Sequence, residues 1–478
     1  MKANFSYSPV TKQTVSDLIE ILGKSSVSVD KDKIEVYSRD EVAPHLWNKK
    51  YDAEVLCFPE SVEQVSQLMK YASAHRIPVT PRGAGTGLSG GAVPACKGIE
   101  LSMERMNRIL EFDPDNLTMT VEPAVVTAEI NKAAADHHLL YAGDPCSGDA
   151  SFIGGNVAEN AGGNKVIKYG ATGASVLGLE VVLPDGSVSW FGGKRRKDVT
   201  GYDFVHLLVG SEGTLGIVTK IILKLLPMQS FIVDLLVPFK DIQTSVAAVP
   251  TVMTKGKAVP SSIEFMDSPT MILTEKYLQT KFPYSGEAGA YLILEYEGND
   301  REHLADEIER IGDILMEAGA LEVYVADNRT TRDKVWKGRK SAAEAVWAHE
   351  AIQLADEDVV VPTSAIPIFM DKLHSICVNH KVSYASYGHL GDGNMHITIY
   401  LEGKNENWHE IIEAARLDLY AVVKELGGTL TGEHGVGLKR LGYVPMFLDE
   451  AQMELIRRVK LAFDPENILN PGKIVPWN

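Results

Sequence analysis

The chain has 478 residues, 45% of them hydrophobic, which is more than one hydrophobic core usually serves, so we expect at least two domains. Its 64 acidic and 47 basic side chains give a formal charge of −17, which argues against a nucleic-acid partner. The cysteines form no C-x-x-C pair, which argues against a disulfide framework or an iron–sulfur cluster held within this chain. We expect ordinary buried thiols at Cys57, Cys96, Cys146 and Cys377.

The sequence shows neither a targeting segment nor a membrane span. Residues 1–13 mix polar and small side chains without an apolar core, unlike a signal peptide or transit sequence. The longest apolar run, 217–227, is interrupted by Lys220 and Lys224, and it is far shorter than the roughly 18 residues of a spanning helix. We therefore expect a soluble, cytoplasmic protein.

The first half of the chain predicts a β-α-β unit that leads into glycine-rich segments. Residues 15–22 have the apolar spacing of a helix, and residues 54–58 predict a short apolar strand. Ser61 and Gln64 resemble the capping box of a following helix, and the next strand is expected to begin at 77–80. Three glycine segments follow: the first is 81–91 (PRGAGTGLSGG), the second 143–164 and the third 210–216 (GSEGTLG). The strand-like run 217–226 comes directly after the third, and Pro227 marks a boundary.

The second half predicts an α+β domain and a glycine-rich tail. We expect strands at 231–237, 290–295, 321–325, 359–361 and 397–401, and helices at 300–318, 333–347 and 450–463. Glycines return between 427 and 442. The expected domains are an N-terminal helical segment (1–50), a cofactor domain (51–228), a substrate or cap domain (229–424) and a C-terminal segment (425–478).

Residues 85–90 match the pattern G-x-G-x-x-G, which in a Rossmann fold opens a phosphate-binding helix. Here Pro94 and Gly98 stand where that helix would continue, so a Rossmann site is disfavoured. A nest of backbone N–H groups, with Arg82 beside it, can hold a pyrophosphate without a helix. A tight turn between strands would explain two of these glycines. It would not explain five in nine positions together with the cluster at Gly154, Gly155, Gly162 and Gly163.

Two histidine clusters predict a metal site. His389 and His396 are seven positions apart, which places them on opposite faces of a continuous strand, so a loop must bring them together. Glu433 and His434 are neighbours flanked by glycines that free the backbone to aim both side chains into one pocket. Two histidines and a carboxylate suit a divalent zinc, iron or manganese ion. Hydrogen-bonded structural histidines and a metal hydrolase are the alternatives.

Several long motifs carry a family resemblance. The stretches PRGAGTGLSGG, IGGNVAENAGG, LGLEVVLPDG, TGYDFVHLLVGSEGTLGIVT and NILNPGK together resemble the vanillyl-alcohol-oxidase-type FAD proteins. Within these, the chain is similar to the D-lactate, glycolate and D-2-hydroxyglutarate dehydrogenase branch from about residue 54 to 473. The resemblance implies an α+β fold: a two-subdomain FAD-binding domain, a cap domain with an antiparallel sheet, and a C-terminal segment that returns to the flavin.

The resemblance implies where FAD is held. The pyrophosphate contacts would come from Arg82, Gly83, Ala84, Gly85, Thr86, Gly87, Leu88 and Ser89. The flavin contacts would come from Pro145, Ser147, Gly154, Gly155, Asn156, Ala158, Asn160, Gly162, Gly216, Ile217 and Asn470. Some relatives tether the flavin through a histidine near the first glycine segment, but no histidine occurs between Arg76 and Leu110, so we expect non-covalent FAD.

The resemblance also assigns the reaction. His389, His396 and Glu433 match metal ligands, His434 matches a catalytic base, and Arg339 matches an arginine that binds the substrate carboxylate. An ordinary surface ion pair is the alternative for Arg339. The metal would polarise the substrate's C2 hydroxyl, His434 would take its proton, and hydride would pass to FAD.

Three positions bear on the substrate. Where hydroxyglutarate enzymes hold a second carboxylate, this chain has Ala343, Glu357 and Thr398, which favours D-lactate or glycolate over a dicarboxylate. The electrons would leave through an external acceptor. The resemblance points to electron-transfer flavoprotein, as in anaerobic lactate dehydrogenase complexes; oxygen or quinone is an alternative. Two alternative functions remain: a D-2-hydroxyglutarate dehydrogenase, or a non-catalytic flavin subunit that relays electrons.

Overall fold

The computed structural model describes residues 5–42, 51–349 and 353–477. Of the expected N-terminal helical segment, residues 1–4 and 43–50 therefore lie outside the described residues. The α-helices in the described ranges are α1 Lys12–Leu22, α2 Lys31–Tyr37, α3 Val62–His75, α4 Thr127–Ala135, α5 Ile153–Glu159, α6 Val166–Tyr169, α7 Phe204–Leu208, α8 Ile242–Gly256, α9 Ser268–Leu278, α10 Arg301–Glu317, α11 Arg329–Lys340, α12 Ala342–His349, α13 Ile366–His380, α14 Trp408–Glu425, α15 Val444–Phe447 and α16 Glu450–Phe463.

The strands in the same ranges form sheets of different size. They are β1 Val27–Ser28, β2 Val55–Cys57, β3 Val79–Arg82, β4 Ile99–Ser102, β5 Ile109–Asp113, β6 Thr118–Val121, β7 Leu139–Leu140, β8 Val176–Val182, β9 Val188–Gly192, β10 Ile217–Lys224, β11 Leu226–Pro227, β12 Phe231–Phe239, β13 Ser262–Asp267, β14 Ala290–Gly298, β15 Tyr324–Ala326, β16 Leu354–Val360, β17 Ser383–His389 and β18 Asn394–Tyr400.

The chain divides into two compact units. The first unit comprises Met1–Gly162, Gly170–Met228 and Glu433–Asn478, and the second comprises Gly163–Tyr169 and Gln229–Gly432. The C-terminal segment from Glu433 onward thus belongs to the unit that contains the first and third glycine segments and the second as far as Gly162.

The first unit is built on two main sheets. One has the order β1-β2-β4-β3 with β2, β4 and β3 parallel, and α1 and α3 contribute Leu18, Leu68 and Met69 to its core. The other is antiparallel with the order β5-β6-β10-β8-β9. The Ser61 hydroxyl caps α3 by accepting from the backbone N–H of Gln64. Strand β3 leads into the first glycine segment, and β10 follows the third.

The first glycine segment leaves β3 and opens no helix. The described residues between β3 and β4 are turns and bends, as the proline and glycine in that stretch predict. The expectation that this G-x-G-x-x-G does not form a Rossmann turn is therefore confirmed.

The second unit contains one seven-stranded antiparallel sheet, ordered β15-β12-β14-β13-β17-β18-β16. Helices α9, α11 and α12 cover one face, where Leu236, Met266 and Ile293 form a cluster. Helices α8, α10 and α13 pack together over the sheet as well. Its central strands are therefore buried on both faces, as the continuous apolar run of β14 requires.

Several details differ from the sequence expectations; the strand expected at 359–361, for example, is Leu354–Val360. The helix expected over 333–347 is two helices: α11 ends at Lys340 and is followed by Ser341, whose N–H bonds back to the Lys337 carbonyl, and α12 then begins at Ala342. The strand expected at 321–325 is shorter and later, at Tyr324–Ala326. The expectation of buried thiols is wrong for Cys146, which is exposed, and Cys96 is half-buried. Of the helices in the described ranges, none combines the length and apolar composition needed to span a bilayer.

Candidate active site

A cavity in the first unit is lined by all three glycine segments. It collects most of the residues that the family resemblance assigned to FAD, namely Arg82, Gly83, Ala84, Gly85, Thr86, Gly87, Leu88, Pro145, Ser147, Gly154, Gly155, Asn156, Ala158, Gly162, Gly216 and Ile217. We call this the glycine-lined cavity. Its wall also includes residues that sequence reasoning missed: Asp40, Gly91, Cys146, Glu159 and Glu212.

Three residues of the assigned set brace the segments and are outside the cavity lining. The Ser89 carbonyl accepts hydrogen bonds from the N–H groups of Leu438 and Lys439. The Asn160 side chain accepts from the Gly173 N–H at 2.9 Å. Asn470 donates from its amide nitrogen to the Gly91 carbonyl at 3.0 Å and to the Glu212 carbonyl at 2.7 Å. The hydrogen bonds of these three residues connect and support the loops around the cavity.

Two consecutive glycines show why the second segment needs this residue type. A Cβ at Gly154 would lie 2.6 Å from Pro123 Cβ and 2.9 Å from its carbonyl oxygen, so only glycine lets these backbones approach. Apart from its chain neighbours and the backbone of its own helix, a Cβ at Gly155 would meet no atom within 4 Å, although Gly155 lines the cavity. This cradle, made of backbone at the cavity wall, fits the close approach of a flat, extended cofactor such as FAD.

Charge at the first glycine segment is mixed. Arg82 lines the cavity, is buried, and has its guanidinium 5.5 Å from the centre of the Tyr37 ring. Asp40 accepts from the Gly90 N–H at 2.7 Å, and burial raises the pKa of its carboxyl to about 6. Arg82 provides the cation that an anionic pyrophosphate at this wall would need.

Glu433 and His434 line the same cavity. His434 Nε2 lies 3.6 Å from Glu433 Oε1, and both side chains are mostly buried. A Cβ at Gly162 would lie 2.5 Å from Glu433 Oε2, so the second glycine segment makes room for this carboxylate. A potential base and a potential metal ligand therefore face the cavity that the glycine segments form.

In the second unit, a β-hairpin brings His389 and His396 together. His389 ends β17 and pairs with Asn394, whereas His396 pairs with Tyr387, so the two histidines are diagonal neighbours on one face. Their ring centroids are 5.4 Å apart, and both residues are buried. The expectation that a loop must bring these histidines together is confirmed.

Glu264 on β13 orients His389. Its Oε1 lies 2.8 Å from His389 Nδ1, which leaves Nε2 as the ring atom directed to any ion. Its Oε2 lies 2.7 Å from Arg339 Nη2. Burial alone would raise the pKa of Glu264, but the charges of His389 and Arg339 beside it lower that pKa below its ordinary value. Sequence reasoning missed this carboxylate.

Arg339 is buried, with 3% of its surface exposed, so the alternative of an ordinary surface ion pair is wrong. Besides pairing with Glu264, its guanidinium lies 5.0 Å from the centre of the Tyr387 ring. Both partners hold the planar guanidinium in one orientation, which suits recognition of a carboxylate.

Asp358 is a second carboxylate beside the histidines that sequence reasoning missed. It lies directly opposite His396 on the paired strands β16 and β18, with Oδ1 3.7 Å from His396 Nδ1. It accepts from Asn394 Nδ2 at 2.7 Å and from the Gly432 N–H at 3.0 Å. Its signal in the sequence was the run of acids 356–358 inside an otherwise apolar strand.

Glu357 does not face the histidines, contrary to the expectation that it would repel a dicarboxylate. Its strand position alternates with that of Asp358, so it points to the other face of the sheet. There it accepts from Arg416 Nε at 2.7 Å and from the Tyr420 hydroxyl. Its negative charge is therefore offset inside the protein. On the face of Asp358 and His396, Thr398 donates its hydroxyl to Asp356 at 2.7 Å.

Comparisons with known proteins agree with this architecture. Residues 53–192 match the model of an FAD binding domain, and residues 229–474 match that of the FAD linked oxidases, C-terminal domain. The glycolate oxidase subunit GlcD of Bacillus subtilis is 37% identical over 97% of both chains. A D-lactate dehydrogenase of Anaerostipes hadrus is 36% identical over 99% of both chains.

The fold recurs in a solved structure of low sequence identity. A p-cresol methylhydroxylase with substrate bound has a TM-score of 0.80 at 17% identity, over 98% of both chains. The expected α+β fold of vanillyl-alcohol-oxidase type, with an FAD-binding domain and a second domain, is confirmed. With a glycine-lined cavity in one unit, a histidine hairpin in the other and these matches over the whole chain, the protein belongs to the FAD-linked oxidase family of oxidoreductases.

Proposed function

We propose that this protein oxidises a small D-2-hydroxy acid, D-lactate foremost, to the corresponding 2-oxo acid with FAD as the oxidant. The observation that carries the proposal is that His434 and Glu433 line the glycine-lined cavity. A proton acceptor thus stands at the wall of the site that fits FAD. Relatives named D-lactate dehydrogenase and glycolate oxidase subunit, at 36% and 37% identity, support the substrate class.

FAD is proposed to bind without a covalent link. The first glycine segment and Arg82 would hold the pyrophosphate, while residues of the second segment, with Gly216 and Ile217, would hold the flavin. Ser89, Asn160 and Asn470 would support these segments from behind. When bound, FAD supplies the acceptor for two electrons and a hydrogen. The protein supplies the shape that excludes water and sets the distance to the substrate.

A divalent cation is proposed to bind His389, His396 and Glu433. The two imidazoles are buried on one sheet face, and Glu264 fixes the ring of His389, as is usual for metal-bound histidines. This donor set suits zinc, iron or manganese, and Asp358 is an additional carboxylate beside His396. When bound, such a cation polarises the C2 hydroxyl of a 2-hydroxy acid.

The chain's own residues then bind the acid and remove its proton. Arg339 is proposed to anchor the substrate carboxylate, because a guanidinium can engage two carboxylates through different edges and its position is already fixed by Glu264. His434 is proposed to accept the C2 hydroxyl proton at a ring nitrogen. Loss of that proton and of the hydrogen with its electron pair at C2 converts the alcohol to the ketone.

The electrons are proposed to pass from the protein to an external carrier, with electron-transfer flavoprotein as the first candidate. Glycolate is the second candidate substrate, since a relative named for it is as similar as one named for D-lactate. With Glu357 on the other sheet face, D-2-hydroxyglutarate is disfavoured mainly by the absence of a polar group at Ala343. A flavin subunit that only relays electrons would contain FAD that no hydroxy acid reduces.

A substrate panel tests the function directly. Under anaerobic conditions, D-lactate should bleach the flavin absorbance near 450 nm fastest, because the site is proposed to hold one carboxylate and a short side chain. Glycolate should follow, and L-lactate and D-2-hydroxyglutarate should be slower by at least about tenfold. Absence of bleaching by all four acids would contradict the proposal and favour the relay subunit.

Replacement of His434 tests the base. His434→Gln should slow flavin reduction by about 100-fold or more, since a positioned acid–base group contributes roughly that much, while FAD stays bound. His206→Gln, an exposed histidine of the same unit, is the control and should reduce its flavin normally. Stopped-flow absorbance gives both rates. Normal reduction in His434→Gln would remove His434 from the mechanism.

Metal analysis tests the ligands. Wild-type protein purified without chelator should contain about one divalent ion per chain, and His389→Ala should lose most of it while retaining FAD. The control is His380→Ala. His380 ends α13 and pairs with Asp418 of α14, so this variant should keep the ion. Elemental mass spectrometry measures the content. An equal metal content in both variants would show that His389 is not a ligand.

A larger side chain in the cavity wall tests whether FAD binds in the glycine-lined cavity. Gly155→Leu should fold with little change in melting temperature, because no atom beyond its chain neighbours and its own helix backbone lies within 4 Å of the added Cβ, but it should lose FAD. Gly442→Leu has the same open surroundings outside the cavity and should retain FAD. The ratio of absorbance at 450 and 280 nm reports occupancy. Full occupancy in Gly155→Leu would place FAD elsewhere.

A further inference from the structure

A buried carboxylate in the third glycine segment holds the backbone next to His434. Glu212 Oε1 accepts from the Val436 N–H at 2.8 Å, and Oε2 accepts from the Gly437 N–H at 2.7 Å. Both oxygens of one side chain are thus committed to consecutive N–H groups two and three residues beyond His434. Glu212 itself is buried and separated from these partners by more than 220 positions in the sequence. We call residues 433–440 the His434 segment.

The same residue ties the His434 segment to the cavity wall. The Glu212 N–H donates to the Ala158 carbonyl of the second glycine segment at 2.7 Å. Its carbonyl accepts from Asn470, whose amide also reaches Gly91 at the end of the first segment. Glu212 therefore joins, through direct hydrogen bonds or one intermediary, the three segments that line the glycine-lined cavity and the loop that carries His434.

A second buried acid, Glu159, lies beside Glu212 but does not hold the backbone of the His434 segment in this way. A Cβ at Gly435 would lie 2.1 Å from Glu159 Oε2 and 3.2 Å from Glu212 Oε1, so both carboxyl groups converge on this glycine. Glu159 Oε2 has no hydrogen-bond partner among the described residues. Burial raises the pKa of both acids, and the two backbone N–H groups oppose that shift at Glu212 only. Of this pair, Glu212 is the one whose charged form is favoured by backbone N–H donors, those of Val436 and Gly437.

Cations near the pair lower the pKa of both carboxyl groups. Lys473 is buried, donates to the Asn470 side chain at 3.0 Å, and acts on Glu212 through its charge. Arg440 donates from Nη1 to the Gly435 carbonyl at 3.1 Å, next to the same point of the His434 segment. A negative Glu212 is thus compensated on the side of the cavity wall and hydrogen-bonded on the side of His434.

We propose that Glu212 is a positioning residue that fixes His434 against the FAD cavity by holding the backbone of Val436 and Gly437. The proposal rests on the proposed function for the catalytic part and on geometry alone for the structural part. An amide in place of the carboxylate cannot accept at both positions, because its NH₂ group would face an N–H group. The His434 segment should then open more often and place its imidazole less exactly.

The test compares Glu212→Gln with Glu180→Gln in the FAD-loaded protein. Glu180 is also buried in the first unit and accepts two hydrogen bonds, from Thr219 Oγ1 and Lys220 Nζ, but it does not line the cavity. Hydrogen–deuterium exchange should be about tenfold faster or more across 436–437 in Glu212→Gln and unchanged in Glu180→Gln. Flavin reduction at saturating acid should slow about tenfold or more in Glu212→Gln, with similar FAD content and a small change in apparent acid affinity.

Unchanged exchange at 436–437 in Glu212→Gln would overturn the proposal. Faster exchange with a normal reduction rate would overturn its catalytic part, because the loop would then open without cost to the reaction. If no acid reduces the wild-type flavin, the proposed function fails, while the exchange result still decides whether Glu212 holds the loop. If Glu212→Gln does not fold, Glu212→Asp keeps the charge on a shorter side chain. It should show faster exchange at 436–437 and slower flavin reduction than the wild type, and wild-type values for both would contradict the proposal.

Discussion

Close backbone approach is the constraint on which the cavity of the first unit depends. Gly154 lies so near Pro123 that a single methyl group would collide with its backbone, and Gly162 makes the same room for Glu433. A cavity walled by main chain offers N–H groups at short range and needs no helix N-terminus. This explains why a G-x-G-x-x-G here follows β3 without opening a helix, and why the chain devotes three separate segments to one site.

Buried carboxylates in both units fix groups to which the proposed reaction assigns a role. Glu264 fixes the ring of His389 and the fork of Arg339, Asp358 holds the backbone of Gly432, and Glu212 holds the backbone beyond His434. None of them stands alone as an uncompensated charge: each accepts hydrogen bonds or pairs with a cation. Two of the buried cations of this acidic chain, Arg82 and Arg339, lie where the anionic cofactor and the substrate are proposed to bind.

The features that local rules control could be predicted from the sequence. The bounds of α16 agree with the expected 450–463, since its capping box and apolar spacing are both local. The glycine segments and the histidine pair were visible for the same reason. The positioning carboxylates were not, because their partners are remote in sequence: 125 positions separate Glu264 from His389, and 224 separate Glu212 from Val436. The face of Glu357 required the register of β16 with β18, which composition cannot supply.

The pairing of β3 with the C-terminal segment has a consequence for biosynthesis. The Val79 N–H bonds to the Ile468 carbonyl, and Asn470 bonds back to Val79 and to the Gly91 carbonyl, 379 positions earlier. The first glycine segment can therefore gain these hydrogen bonds only after residues 468–470 have been synthesised. A chain that ends before residue 470 therefore lacks this support at the cavity wall.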